Sequence, residues 1–274
     1  MRALVLVLCS LMGCESDPGA TAPTEPAAAT NAAEAPALTE ETKALTRNEF
    51  LAPSPEETRR AVSKAGLTTS LGSLVPAREF AFEGLTKDQA ALRAGVCLSD
   101  TILTIQESEN EALLDQLGAF RAGLQVMGSG AGLLNTLKDL EVGVENGAIS
   151  RDGLLEELDG IVSMFVPEQG FAAGDRTGPL LQAGAWTAGV NLTAQAILKE
   201  DRVELASELL RLQAVADYFL EYVEGEGQEK AGELVLTVLR TTLLALKEIA
   251  EKETLERTDV EEVVRLTGHL LGLI

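Results

Sequence analysis

The stretch TGPLLQAGAWTAGVNLTAQAIL, residues 177–198, decides the fold, because its 22 residues carry no charged side chain. Its apolar residues recur at helical spacing and form one stripe: Leu181, Ala185, Ala188, Leu192 and Ala196. A polar stripe lies beside it: Gly184, Thr187, Asn191 and Gln195. Such polar groups are costly in hydrocarbon. The pattern therefore favours a central helix that is buried by other parts of the protein, rather than a helix that spans a membrane as an anchor. Trp186, the one tryptophan, is expected to fill the hydrophobic core around this helix.

Helical periodicity continues on both sides of this stretch and predicts an all-α fold, a multi-helix bundle of about eight to nine helices. The predicted helices lie near residues 87–106, 109–127, 132–146, 151–167, 178–199, 202–224, 228–253 and 259–273. An earlier helix should begin at Ser54 and Pro55 and stop at Gly66, followed by a short helix and a loop over residues 67–85. Thr258 and Glu261 are expected to form the capping box of the last helix.

The bundle consists either of two related four-helix halves or of unrelated helices with a chance similarity. Residues 92–106 align with residues 181–195 at an offset of 89, with six identities in fifteen positions. A duplication predicts that the opening helices of the two halves cross closely at Gly95 and Gly184. It also predicts that the polar stripe marks a ligand-binding groove; its candidate residues are Thr187, Asn191 and Gln195.

The first 14 residues have the layout of an export signal. A short basic start, Met1-Arg2, is followed by an uncharged apolar run that is too short to span a bilayer. The run ends in Leu11-Met12-Gly13-Cys14 (LMGC), which resembles the lipobox of bacterial lipoproteins. The resemblance implies that residues 1–13 are a signal peptide that is removed, and that Cys14 carries the lipid that holds the protein on a membrane. The alternative is an ordinary secretory signal with an unrelated cysteine.

Composition divides the remaining chain into a tether and one domain. Residues 14–53, rich in Pro, Ala and Thr, are expected to form a lipidated N-terminus and a disordered tether, and residues 54–274 an all-α globular domain. The net charge of −21 repels phosphate, so nucleic acid is not an expected partner. With Cys9 removed and Cys14 lipidated, Cys97 has no partner for a disulfide.

The residue types that carry chemistry form no catalytic constellation. His269, the one histidine, is expected in the core or at its rim, and Cys97 as a buried apolar residue. Asp100 shares a helix face with Arg93 and Glu107 and is interpreted as a solvated or paired acid. Two glycine-containing stretches are interpreted as helix boundaries rather than phosphate or calcium loops: residues 128–132, and residues 145–158 with a stop at Gly147 and a cap at Ser150. No cofactor, metal site or enzyme activity is predicted.

Two short segments, Gly95 to Asp100 and Gly184 to Trp186, also resemble uncharacterised all-helical bacterial lipoproteins, a resemblance that implies no particular activity. The predicted function is that of a membrane-anchored helical lipoprotein of the bacterial cell envelope that acts as a binding or scaffolding module. Its partners would be membrane lipid and an envelope protein or a small molecule. The alternative is an envelope enzyme that uses carboxylates and a metal. Glu15 favours an outer-membrane anchor, with the domain in the periplasm or at the cell surface; the inner membrane is the alternative.

Overall fold

The structure, a computed structural model, describes residues 52–163, 176–224 and 234–274. Within these ranges it contains ten α-helices and no strand, which confirms the all-α prediction. The helices are α1 (Pro55–Lys64), α2 (Lys87–Thr104), α3 (Asn110–Met127), α4 (Ala131–Glu145), α5 (Arg151–Ser163), α6 (Thr177–Lys199), α7 (Ala206–Leu210), α8 (Gln213–Glu224), α9 (Leu234–Ala250) and α10 (Arg257–Leu271). Two 3₁₀ turns span Gly72–Leu74 and Val203–Leu205. The predicted signal, Cys14 and nearly all of the predicted tether lie outside the described residues.

The first helix begins and ends as predicted. The backbone N–H of Glu57 donates to the Ser54 hydroxyl at 3.2 Å, and the Ser54 N–H donates to the Glu57 carboxylate at 2.8 Å. This reciprocal capping box satisfies two N–H groups that the first turn leaves without a partner. The helix ends before Gly66, whose φ of 87° lies in the left-handed region that glycine adopts without strain.

The single helix predicted over residues 202–224 is wrong. The chain makes a 3₁₀ turn and then the short helix α7, and it leaves helical geometry at Arg211, where ψ is 67°. The Arg211 guanidinium donates to the backbone carbonyls of Ala250 at 3.2 Å and Glu253 at 3.1 Å. These carbonyls lie at and just beyond the end of α9, where helical hydrogen bonds run out. The break between α7 and α8 therefore places a cation at the C-terminal end of another helix.

The last helix starts earlier than the predicted capping box of Thr258 and Glu261, which is also wrong. Glu256 is the N-cap: its backbone N–H donates to the Asp259 carboxylate at 2.9 Å, and its own carboxylate accepts from the Asp259 N–H. Lys252 also donates to Asp259. This second contact fixes Asp259 as the third residue of the helix, so α10 begins at Arg257.

Helices α2 and α6 cross at the centre of the domain, and glycine makes their close approach possible. A Cβ atom on Gly95 would lie 1.9 Å from the backbone oxygen of Leu181, and one on Gly184 would lie 2.1 Å from the backbone oxygen of Leu92. Neither position has room for any side chain, because real Cβ atoms do not approach backbone oxygen so closely. The predicted close crossing at Gly95 and Gly184 is confirmed.

The contacts at this crossing are reciprocal. Gly95 faces the backbone of Leu181, and Gly184 faces the backbone of Leu92. The offset of 89 residues that relates Gly95 to Gly184 also relates Leu92 to Leu181, so the two contacts are equivalent. Such an exchange is the property of a contact about an approximate two-fold axis. With α7 and α8 counted together as the second helix of the second half, the first helix of each half contacts the second and the fourth, and the second contacts the third. The third and fourth helices differ, since α9 packs against α10 whereas α4 and α5 have no contact of that extent. The reciprocal crossing supports the duplication hypothesis, which stays a prediction.

Nearly all of α6 is buried, as predicted for the uncharged stretch. Trp186 is 4% exposed, and its ring centroid lies 5.5 Å from that of Phe219 on α8. This tilted arrangement is favourable for aromatic pairs beyond the area they bury. Among the described helices, none combines the length and the apolar character needed to cross a membrane.

Candidate functional site

The predicted polar stripe of α6 divides between a cleft and the core. Asn191 and Gln195 line a cleft of about 500 Å³, here called the Asn191 cleft, which is bounded by α6, α10 and the irregular segment 75–80. Thr187 is fully buried and does not line this cleft, and its hydroxyl has no hydrogen-bond partner. The structure therefore brings two of the three candidate residues into one site.

Asn191 is the better fixed of the two cleft residues. Its amide nitrogen donates to the Thr267 hydroxyl at 2.8 Å and to the Val264 carbonyl at 3.2 Å, both on α10. Its amide oxygen accepts from the Gln195 amide at 2.6 Å. These bonds hold α6 to α10 and leave the Gln195 amide, which is only half-buried, as the more available group in this wall. Asn191 thus has a structural role at the cleft floor.

A second cleft, of about 550 Å³, lies on the other side of segment 75–80 and is here called the Asp100 cleft. Its walls come from segment 75–80, α2 and α3. Its polar and aromatic lining residues are Arg78, Glu79, Phe80, Asp100, Thr104, Asp115 and Gln116. Pro76, Arg78, Glu79 and Phe80 line both clefts, so one irregular segment forms a wall of each. Both volumes are in the range of small-molecule sites.

The Asp100 carboxylate is the buried charged group of this cleft. It forms an ion pair with Arg78, with 2.5 Å between Nη1 and Oδ2, and its side chain is 2% exposed against 19% for Arg78. Its other oxygen, Oδ1, is buried without a hydrogen-bond partner. Of the two interpretations from the sequence, a solvated or a paired acid, the paired one is confirmed and the solvated one is wrong. Its neighbours on the helix face, Arg93 and Glu107, are not its partners. Arg93 donates to the Ala81 carbonyl, and Glu107 accepts from the Ser70 hydroxyl.

Burial raises the pKa of Asp100 from its ordinary value of 3.8 to about 6, because the charged form loses hydration. The charge and the hydrogen bond of Arg78 act in the opposite direction and only partly offset this effect. The carboxyl group can therefore gain or lose a proton near pH 6. Acidic groups with such a raised pKa are typical of functional sites.

We expect this carboxyl group to make stability depend on pH. Between pH 3.8 and about 6, Asp100 is protonated in the folded state but not in the unfolded state. The contribution of this proton to the free energy of unfolding is therefore full below pH 3.8 and is lost as the pH rises through about 6. Asp100→Asn removes this titration. From about pH 5 to about pH 7.5, the wild type should lose roughly 1 kcal/mol of unfolding free energy relative to the variant, measured by urea unfolding.

The control is Asp139→Asn, which removes a carboxylate that is exposed on α4 and lines neither cleft. Its stability should follow the pH dependence of the wild type. If Asp100→Asn follows it equally closely, the raised pKa of Asp100 is wrong.

The other residues singled out in the sequence do not line either cleft. Cys97 is fully buried, and burial raises the pKa of its thiol, in agreement with its interpretation as an apolar residue. His269 is exposed near the end of α10, so its expected place in the core or at its rim is wrong. Gly128 and Gly147 both have positive φ at helix ends, and Ser150 caps α5 by accepting from the Gly153 N–H at 3.1 Å. Both stretches are helix boundaries, as predicted.

In the ranges that the structure describes, no group of three or more His, Cys, Asp or Glu residues is placed to hold a metal ion. The comparisons with known proteins returned no matching family model, curated protein or solved structure. The functional proposal therefore rests on the residues of this chain.

Sequence reasoning missed the contribution of segment 75–80. Arg78 and Phe80 stand in the stretch 67–85, where the pattern predicts a short helix and a loop and no site residue. A usable signal was present, because charged and aromatic residues in an irregular segment between helices are typical of binding loops. Nothing in the sequence links Arg78 to Asp100 specifically, since they are 22 residues apart and share no repeat.

Proposed function

We propose that the protein is a lipid-anchored helical lipoprotein of the bacterial cell envelope and that its domain is a binding module. The lipid would be attached at Cys14, in the lipobox-like LMGC sequence. The domain would stand at the end of the tether, in the periplasm or at the cell surface. An outer-membrane anchor is the preferred location, because Glu15 is not the Asp that inner-membrane lipoproteins often carry after the cysteine.

The observation that carries the binding role is the pair of clefts on either side of segment 75–80. They are lined by a buried carboxylate, three side-chain amides and an aromatic ring, a few polar groups among apolar ones. This mixture is typical of sites that take up small molecules, with the polar groups fixing the orientation of the ligand.

An enzyme that uses carboxylates and a metal is the second candidate. Asp100 favours it, because burial raises the pKa of this cleft residue toward the range in which general acids and bases work. Thermal unfolding in the presence of divalent metal ions tests this candidate. A rise of several degrees in Tm that Asp100→Asn abolishes would favour the enzyme.

The lipid anchor is tested by partition of two chains between a Triton X-114 detergent phase and water. The full chain, made in a bacterium, should enter the detergent phase, because each buried methylene of an acyl chain contributes about 0.8 kcal/mol. A chain that begins at Ala52 should stay in water and unfold cooperatively with a helical circular dichroism spectrum. A full chain found in water, or a shortened chain found in detergent, would contradict the proposal.

A further inference from the structure

The charges that line the Asp100 cleft are unbalanced. Three carboxylates, those of Glu79, Asp100 and Asp115, line it together with one cation, Arg78. The whole chain adds to this imbalance with its net charge of −21. Low-dielectric walls concentrate the potential of such groups inside a cleft, so the cleft attracts positive ions more strongly than an open surface of the same composition does.

The unpartnered oxygen of Asp100 indicates that a suitable ion must donate a hydrogen bond. An ionised carboxylate only accepts hydrogen bonds, and Oδ1 of this buried side chain has none, whereas Oδ2 is held by Arg78. A buried acceptor without a donor costs free energy, which a ligand with N–H groups removes. Arg78 is the more exposed member of the pair, so it is the group that an entering donor can displace.

The remaining walls favour an organic ion over a bare metal ion. Phe80 is half-buried and lines the cleft, and an aromatic face attracts a cation that lies near it. The rest of the apolar lining comes from Val75, Pro76, Ala77, Ala112 and Ala119. Such walls suit the methylene chain of an amine, while the carboxylates suit its charged ends.

We propose that the Asp100 cleft binds a small organic ammonium ion of the diamine or polyamine class, with one ammonium group donating to Asp100 and the other near Asp115 and Glu79. The inference rests on the proposed function as a binding module and names its ligand class. The N–H donors are essential, so a bis-quaternary ammonium ion, which has the two positive charges of a diamine but no N–H group, is a poor ligand.

Isothermal titration of the full chain in detergent, at low ionic strength, tests this with putrescine and spermidine as probes. Asp100→Asn should raise the Kd for both amines at least tenfold, and Asp115→Asn, at an exposed position, severalfold. The matched control Asp139→Asn removes the same charge outside the cleft and should leave the Kd within twofold. The bis-quaternary analogue of putrescine, 1,4-bis(trimethylammonio)butane, has the same two charges and the same four-carbon chain but no N–H group, and it should bind at least tenfold more weakly than putrescine.

Three results would overturn the proposal: no binding of either amine, equal weakening in all three variants, or binding of the bis-quaternary analogue as tight as that of putrescine. The circular dichroism spectrum and Tm of Asp100→Asn show whether it folds, and Asp115→Asn decides the question if it does not. Detergent partition does not involve the cleft. Loss of amine binding with normal partition therefore ends this inference alone, and loss of partition with normal amine binding removes only the anchor.

Discussion

Gly95→Ala is expected to destabilise the domain by about 3 kcal/mol or more, at the upper end of what overpacking costs. The added methyl group would lie 1.9 Å from the backbone oxygen of Leu181, and backbone cannot turn aside as a flexible side chain can. Helices α2 and α6 would have to move apart along their most buried contact. Gly184→Ala meets the backbone oxygen of Leu92 at 2.1 Å and should cost a similar amount. Urea unfolding followed by circular dichroism measures both.

Gly160→Ala is the matched control for this prediction. Gly160 also lies inside a helix, α5, but a Cβ atom there has no other atom within 4 Å. Because alanine favours a helix over glycine, this change should stabilise the domain by roughly 0.5–1 kcal/mol. If the free energy of unfolding of Gly95→Ala lies within roughly 1 kcal/mol of that of the wild type, the change costs no more than an ordinary substitution. The two helices then do not touch at Gly95.

The sequence was sufficient to predict the central helix and its crossing. A long segment without charge, with an apolar and a polar stripe, has few options other than burial by protein. The match of Gly95 with Gly184 follows from the alignment of residues 92–106 with residues 181–195, and two matched glycines allow helices to cross closely. The structure adds that each glycine meets the carbonyl of the residue three positions before the other.

The helix boundaries that failed were decided by contacts distant in sequence. Local periodicity continues through Arg211, and the break there follows from bonds to carbonyls 39 and 42 residues further on. At the start of α10, the capping box that forms, Glu256 with Asp259, overlaps the predicted one of Thr258 and Glu261. Glu256 is a less usual N-cap than Thr258, and the contact of Lys252 with Asp259 is a tertiary feature that a local pattern does not contain.

The candidate site was predictable only in part, because some of its features depend on contacts that a local pattern does not contain. Asn191 and Gln195 follow from the helical repeat of α6, whereas the inward burial of Thr187 depends on how its neighbours are placed. The ionisation of Asp100 depends on its depth and on Arg78, neither of which the sequence specifies. Electrostatic effects of this kind come from three-dimensional burial.

Cys14→Ser is expected to release the protein from the membrane almost completely. Serine has the same shape but lacks the thiol to which the lipid of lipoproteins is attached. Membrane binding through acyl chains is additive in buried methylenes, so the loss of the chains removes the main attraction. The net charge of −21 gives the domain no compensating attraction to anionic headgroups.

Cys9→Ser is the matched control, since it makes the same change five residues earlier, inside the predicted signal and outside the lipobox position. The most direct measurement is the distribution of the intact chain and these two variants between the membrane and soluble fractions of the producing bacterium. We expect the intact chain and Cys9→Ser to sediment with membranes and Cys14→Ser to stay in the soluble fraction. Sedimentation of Cys14→Ser with the membranes, to the same extent as the intact chain, would contradict a lipid anchor at Cys14.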